Sequence, residues 1–219
     1  MIEYKTKEII MKKDYKKSLK AFYNPSAKEV SEVVMPTMNY LLIDGKGSPG
    51  ECQAWTEAIE TLYPLAYAIK FSIKKVTGFD FGVMPLEGLW WAEDMNDFTS
   101  GNRDNWLWTL MILQPEVVTT ESFETALAEV RIKKKPVSLE KLRFEAFDEG
   151  KCAQLMHIGP FSDEGPNIKR IHQYIENGKG TFEGKIQKHH EIYLNDMRKV
   201  APEKMKTILR QPFTSINPK

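Results

Sequence analysis

Apolar positions recur with two different periods along this chain, and the places where the period changes mark out its elements. Residues 38–44, Met-Asn-Tyr-Leu-Leu-Ile-Asp, form a short apolar run of strand length. Residues 45–51 then turn the chain into a helix, with Ser48 as N-cap, Pro49 as the first helical residue and Glu51 as the reciprocal cap. Trp55, Ile59, Leu62, Ala66 and Ile69 follow at helical spacing, which predicts a helix to about residue 75, crossed by Pro64 and stopped at Gly78. Residues 82–91 and 105–114 are rich in aromatic and branched side chains and read as strands around a polar loop at 93–97. A helix capped by Thr120 runs to residue 134 and ends before Pro136. Residues 142–147 and 152–158 read as a hairpin around Asp148-Glu149-Gly150. A helix at 164–176 stops at Gly178, and extended segments at 183–188 and 190–194 follow. Pro202 opens a helical turn, and 207–210 is a final strand. Near the start, Ser26-Ala27-Lys28-Glu29 fits a capping box for a short helix to residue 35.

The elements repeat. Residues 40–47, a helix and residues 85–90 correspond in order to residues 154–161, a helix and residues 189–194. Each half reads as strand, glycine turn, helix, then two strands, with a glutamate in a late strand. The expected fold is therefore α+β: tandem β-α-β-β modules with pseudo-twofold symmetry, an antiparallel sheet with helices on one side, and a ligand cleft between the modules. Residues 1–35 read as an N-terminal arm and 36–219 as the domain.

Composition narrows the function classes. The chain has 219 residues, 42% hydrophobic and 28% charged, with 31 basic and 30 acidic side chains, so no basic excess argues for nucleic acid. The clusters at Lys12-Lys13, Lys16-Lys17 and Lys133-Lys134-Lys135 read as solvated surface. No run of about 18 apolar residues suggests a membrane span, and the start lacks the apolar core of a signal peptide. Cys52 and Cys152 are far apart, as in a reduced protein of the cytoplasm. The histidines at 157, 172, 189 and 190 lack metal-ligand spacing. No phosphate loop, dinucleotide fingerprint or nucleophile elbow is legible, so neither a metal nor a cofactor is expected.

The chemistry that is legible lies in the late strands. Alternation places Glu87, Leu89, Trp91 and Glu93 on one face and Trp90 on the other, while Glu191 and Tyr193 share a face. A twofold relation between the modules would bring Glu87 and Glu191 to one cleft. A carboxyl in an apolar cleft is costly unless paired, and its pKa rises, which fits an acid, a base or an anchor for a cation. Trp91 and Tyr193 are candidate walls for a conjugated ring. Trp106 and Trp108 share a strand face that is either core or pocket, and Trp55 reads as core. Against these readings stands the ordinary one, in which strand glutamates bond a neighbouring backbone or lysine.

The pairing of residues 156–161, Met-His-Ile-Gly-Pro-Phe, with residues 189–194, His-His-Glu-Ile-Tyr-Leu, resembles the GyrI-like small-molecule-binding family. This family shares its fold with the effector-binding domains of multidrug-responsive regulators. Residues 83–91, Val-Met-Pro-Leu-Glu-Gly-Leu-Trp-Trp, together with 201–204 and 209–212, are similar to a stand-alone subfamily containing cyclopropanoid hydrolases. The resemblance covers roughly residue 36 to the end. It implies that Glu191 meets flat, apolar or cationic ligands and that Trp91 and Tyr193 form an aromatic cage. Glu191 and Tyr193 would be catalytic, and Glu87, Trp91, Glu93, Trp108 and His157 ligand-binding. The implied activity is opening of the cyclopropane in DNA-alkylating compounds. The alternatives are sequestration without turnover, or action on a protein partner such as gyrase. Where the family usually has Asp-Pro, this chain has Asp196-Met197, which alters a loop.

Overall fold

The computed structural model describes residues 11–216. The strands are β1 (Met11–Lys13), β2 (Ser31–Met35), β3 (Met38–Lys46), β4 (Phe79–Phe81), β5 (Leu86–Trp91), β6 (Leu107–Gln114), β7 (Arg143–Phe147), β8 (Gly150–Ile158), β9 (Gly180–Thr181), β10 (His189–Tyr193), β11 (Lys206–Pro212) and β12 (Thr214–Ser215). The helices are α1 (Tyr15–Ser18), α2 (Lys20–Tyr23), α3 (Gln53–Thr77), α4 (Asn96–Ser100), α5 (Thr120–Lys133) and α6 (Gly165–Glu176). Eight strands form one antiparallel sheet in the order β2-β8-β11-β10-β5-β6-β3-β7. This order reads alike from both ends. Three strands of one module, β8-β11-β10, meet three of the other, β5-β6-β3, at a central seam, confirming the tandem β-α-β-β architecture.

The seam fixes which residues correspond. Glu191 pairs with Gly88 and Ile192 with Glu87. The twofold axis therefore relates Gly88 to Glu191, Glu87 to His190, and Trp90 to Tyr193. The sequence expectation aligned Glu87 with Glu191, one residue out of step. Because strand side chains alternate, that single step puts the two glutamates on opposite faces of the sheet.

The helices share one face. Trp55 of α3 stacks on Trp90 and meets Trp108 edge-on. Phe123 of α5 stacks on Phe144. Ile171 and Ile175 of α6 bury against Ala153, Leu155, Leu209 and Phe213. The strand residues in these contacts share the alternation of Glu191. The helix α3 is long because its buried residues, including Leu62, Leu65, Ile69 and Ile73, hold one stripe over seven turns. It begins at Gln53, after the expected cap, since Ser48 and Glu51 bond each other in a preceding turn. It ends as expected at Gly78, whose φ of 70° is left-handed.

The opposite face is covered by the N-terminal segment. Tyr15 and Tyr23 are buried in the main core. Gln154 Nε2 donates to the Ala21 carbonyl and Arg210 Nη2 to that of Phe22, both at 2.7 Å.

Three expected elements differ. Residues 26–35 hold no helix: Ser26 Oγ closes only a turn, accepting from the amides of Lys28 and Glu29. β2 then pairs along β8, because the sheet margin offers hydrogen bonds that the local capping signal cannot match. β7 and β8 are not a hairpin; β7 pairs with β3, and β8 with β2 and β11. Three Cα steps, at most about 11 Å, join Phe147 to Gly150, so the sheet curls until its edge strand β7 comes round to β8, the strand next to the other edge. Residues 183–188 form a turn, with the amides of Ile186 and Gln187 bonded to the Glu183 carbonyl. Among the described residues no helix is long and apolar enough to cross a membrane.

Candidate functional site

On the helix-covered face, the second module gathers unpaired polar groups beside the aromatic groups of the first. β10 projects His189, Glu191 and Tyr193 to this side, and Tyr193 Oη donates to Glu191 Oε2 at 2.7 Å. His189 Nε2 lies 3.5 Å from Glu191 Oε1, with the two side chains 17% and 15% exposed. Glu164 enters from the start of α6. Its main-chain carbonyl accepts from Asn167 and Ile168 to open the helix, and its carboxyl is buried with Oε1 unbonded among the described residues. Burial raises the Glu164 pKa to about 9, the charge of Glu191 adds to the rise, and only the Thr207 side chain opposes it. The pair therefore contains a neutral acid next to Glu191, an arrangement suited to proton transfer. Burial, then the charge of Glu191, also raises the Tyr193 phenol well above its ordinary value, keeping it a donor.

Aromatic rings complete the wall. Phe161 meets Tyr193 edge-on at 5.7 Å. Trp90 is stacked on one face by Trp55 at 5.4 Å and approached edge-on by Trp106 at 6.0 Å. Gly88 makes the close approach of Trp90 and Tyr193 possible: a Cβ there would lie 3.0 Å from Trp90 Nε1 and 3.1 Å from Tyr193 Oη. A cavity of about 260 Å³ beside α1, bounded in part by Lys13, Tyr15, Met38 and Gln114, contains none of this cluster.

The residues expected at one cleft are thus divided. Glu191 and Tyr193 lie together on the helix-covered face. His157 faces the same side but is occupied: Nε2 donates to the Pro160 carbonyl at 3.1 Å, and Nδ1 accepts from Asn167 Nδ2 at 3.0 Å. It clamps the turn, with Gly159 at φ 141°, that delivers Glu164. Trp108 is core, its ring lying where a Cβ on Gly45 would be. Trp91 points to the other face, under the ammonium of Lys188 at 3.4 Å. Glu93 is exposed and pairs with Lys185 at 3.3 Å.

Glu87 belongs to a different assembly, fully buried inside the curl. Tyr23 Oη donates to its Oε1 at 2.6 Å, and His190 Nε2 lies 3.0 Å from Oε2. His190 Nδ1 bonds Glu149 Oε1 at 2.7 Å, and Arg210 Nη1 donates to Glu149 Oε2 at 3.0 Å. Two acids and two bases balance here. Burial alone would raise the Glu149 pKa, but the charges of His190 and Arg210 pull it down to about 2. Burial alone would lower that of His190, but Glu149 and then Glu87 lift it to about 9.

Sequence reasoning missed Glu164, His189 and Trp90 as site residues. The strand alternation that paired Glu191 with Tyr193 already included His189. Glu164 stands where a helix cap stands, which disguised it.

Tandem modules that enclose acidic and aromatic side chains over a twofold seam define a small-molecule-binding domain. The chain belongs to the GyrI-like family, described as a GyrI-like small molecule binding domain, which matches residues 28–212. An uncharacterized conserved protein from Listeria innocua is 43% identical, with a TM-score of 0.85 over 92% of this chain and 99% of that one. A hydrolase from Listeria innocua is 42% identical, with a TM-score of 0.80 and the same coverages. The C-terminal domain of EcmrR, 9% identical at a TM-score of 0.52 over 86% of this chain and 98% of that one, shares the fold alone. No curated protein matches the chain.

Proposed function

We propose that this protein takes flat, apolar or cationic aromatic molecules into the cleft between α3 and α6, and that it opens the strained ring of cyclopropanoid compounds by adding water. The observation that carries this reading is the Glu164–Glu191 pair next to Tyr193 and Trp90. Hydrolase activity is supported by the Listeria innocua hydrolase at 42% identity, and the ring-opening chemistry by the motif resemblance. The site residues of this reading are Glu191, Tyr193, Glu164 and Trp90; Glu87, Trp91, Glu93 and Trp108 have no place in it.

The reaction balances with these groups alone. Glu191, held by the Tyr193 hydroxyl, removes a proton from water. The water oxygen bonds the ring carbon, the strained C–C bond breaks toward the conjugated carbonyl, and the resulting enolate oxygen takes the Glu164 proton. Return of the proton from Glu191 to Glu164 resets the pair, with one water added. Ring strain supplies much of the drive, so the protein contributes orientation and proton transfer.

The test is turnover of a cyclopropanoid, with the hydrated product detected by mass spectrometry. Replacing Glu191→Gln should cut the rate by about 10²–10⁴-fold, the range for a positioned base. Full activity in that variant would remove Glu191 from the reaction. Tight binding by the unaltered protein with no hydrated product would instead establish a sequestering protein.

A further inference from the structure

Several buried polar side-chain atoms near the seam lack hydrogen-bond partners among the described residues. Glu164 Oε1, His172 Nε2, both ring nitrogens of His189 and Asn195 Oδ1 are buried without hydrogen-bond partners among the described residues. These belong to the second module, and Trp90 Nε1 of the first module, across the seam from His189, is likewise unbonded. The first module faces them with the rings of Trp90, Trp106 and Phe98, the last two 4.6 Å apart. Buried polar atoms in native proteins are almost always bonded, and each exception costs stability. Several of these exceptions belong to the second module, His189 among them with both ring nitrogens. His189 pairs across the seam with Trp90 and lies beside Glu191. Its neighbour His190, one residue on and facing away, is hydrogen-bonded at Nδ1 to Glu149 at 2.7 Å and has Nε2 3.0 Å from Glu87 Oε2. Where His190 lies between two carboxylates at 2.7 and 3.0 Å, His189 has only the 3.5 Å approach of Glu191 at Nε2 and no hydrogen bond at Nδ1.

Resting on the cleft as the binding site, we propose that His189 is a ligand-contacting residue that reads the polar edge of a planar ligand, donating to a ring carbonyl or phenolic oxygen while the ligand's face lies against Trp90 and Trp106. Glu164, neutral and similarly unbonded at Oε1, offers a second contact on the same edge. The ligand class is therefore a planar aromatic molecule carrying an oxygen at one edge. A lipophilic cation without such an edge would leave these atoms unbonded and gain only stacking and the charge of Glu191.

Two dyes of similar shape separate these cases: acridone, neutral and planar with a ring carbonyl, and acridine orange, a planar cation without one. Binding is read by fluorescence with the full-length protein and its His189→Phe and His189→Gln variants, and thermal melting checks the fold. One lost buried hydrogen bond corresponds to roughly a tenfold change in affinity. His189→Phe should weaken acridone about tenfold and acridine orange less than about twofold, and His189→Gln, which keeps a donor, should restore part of the loss. Equal weakening of both dyes, or unchanged acridone binding, would overturn the role of His189. Binding of acridine orange alone by the unaltered protein would overturn the edge reading while leaving the cleft in place. Binding of neither dye would remove the cleft and this inference together.

Discussion

The two faces of the central strand β10 solve the same problem in opposite ways. Each draws two carboxyl groups out of open solvent, Glu191 only in part. Inside the curl, Glu87 and Glu149 meet His190 and Arg210 at 2.7–3.0 Å, and Glu149 is held ionised with a pKa of about 2. On the helix-covered face, Glu164 and Glu191 have no arginine or lysine within ion-pairing distance among the described residues. Burial drives the Glu164 pKa to about 9. Balanced charges make a rigid core, while an unbalanced pair stores a proton at neutral pH. Alternation of one strand, His190 inward and Glu191 outward, keeps the two networks separate though they are adjacent in sequence.

The largest effect should come from unbalancing the inner network. Arg210→Met leaves Glu149 facing only His190, and should destabilise the fold by about 3–5 kcal/mol in urea unfolding, the range for removing one partner of a buried pair. The opposite sign is expected on the outer face. Glu164 is neutral in the fold but ionised in the unfolded chain at neutral pH, so its burial opposes folding above its ordinary pKa. Glu164→Gln should therefore stabilise the protein at pH 7 by about 3 kcal/mol, while turnover falls and loses its decline near pH 9. A destabilised Glu164→Gln protein would contradict the contrast between the faces.

The pH dependence of stability sharpens the comparison further. His190 has a folded pKa of about 9 against an ordinary value of 6.5. Its contribution is full below pH 6.5 and is lost as pH rises through 9. Glu149, shifted down from 4.5 to about 2, contributes fully above pH 4.5 and loses that contribution as pH falls toward 2. Urea midpoints should decline in both windows, and His190→Gln should make the alkaline decline shallower, leaving the share that the raised pKa of Glu164 contributes. The smallest effect is expected at the seam. Gly88→Ala asks Trp90 and Tyr193 to give by a few tenths of an ångström, and should weaken planar-dye binding several-fold with little change in melting.

Periodicity located the elements that make the frame. The helix ending at Gly78, the two modules and the strand carrying Glu191 and Tyr193 were all legible, because each buries a continuous apolar stripe. Long-range pairing was not legible. The capping box at Ser26 was a sound local signal, but the margin of β8 recruited the following residues as a strand. The glycine turn before β8 looked like a hairpin, and only the curl of the sheet shows how the edge strand β7 is joined directly to β8, the strand next to the other edge. The pseudo-symmetric glutamates misled for the same reason: their spacing differs from the true correspondence by one residue, and alternation converts one residue into the wrong face. Glu164 was hidden because its role depends on what packs over it.

The contrast between the faces rests on the proton that Glu164 holds. Its side-chain carboxyl can be followed directly by carbon-13 NMR of glutamate-labelled protein, assigned with Glu164→Gln, across pH 4 to 10. Glu164 should be neutral at pH 7 and ionise near pH 9, with that transition moving down in Glu191→Gln as the neighbouring charge disappears. A Glu164 carboxyl already ionised at pH 7 would contradict that contrast.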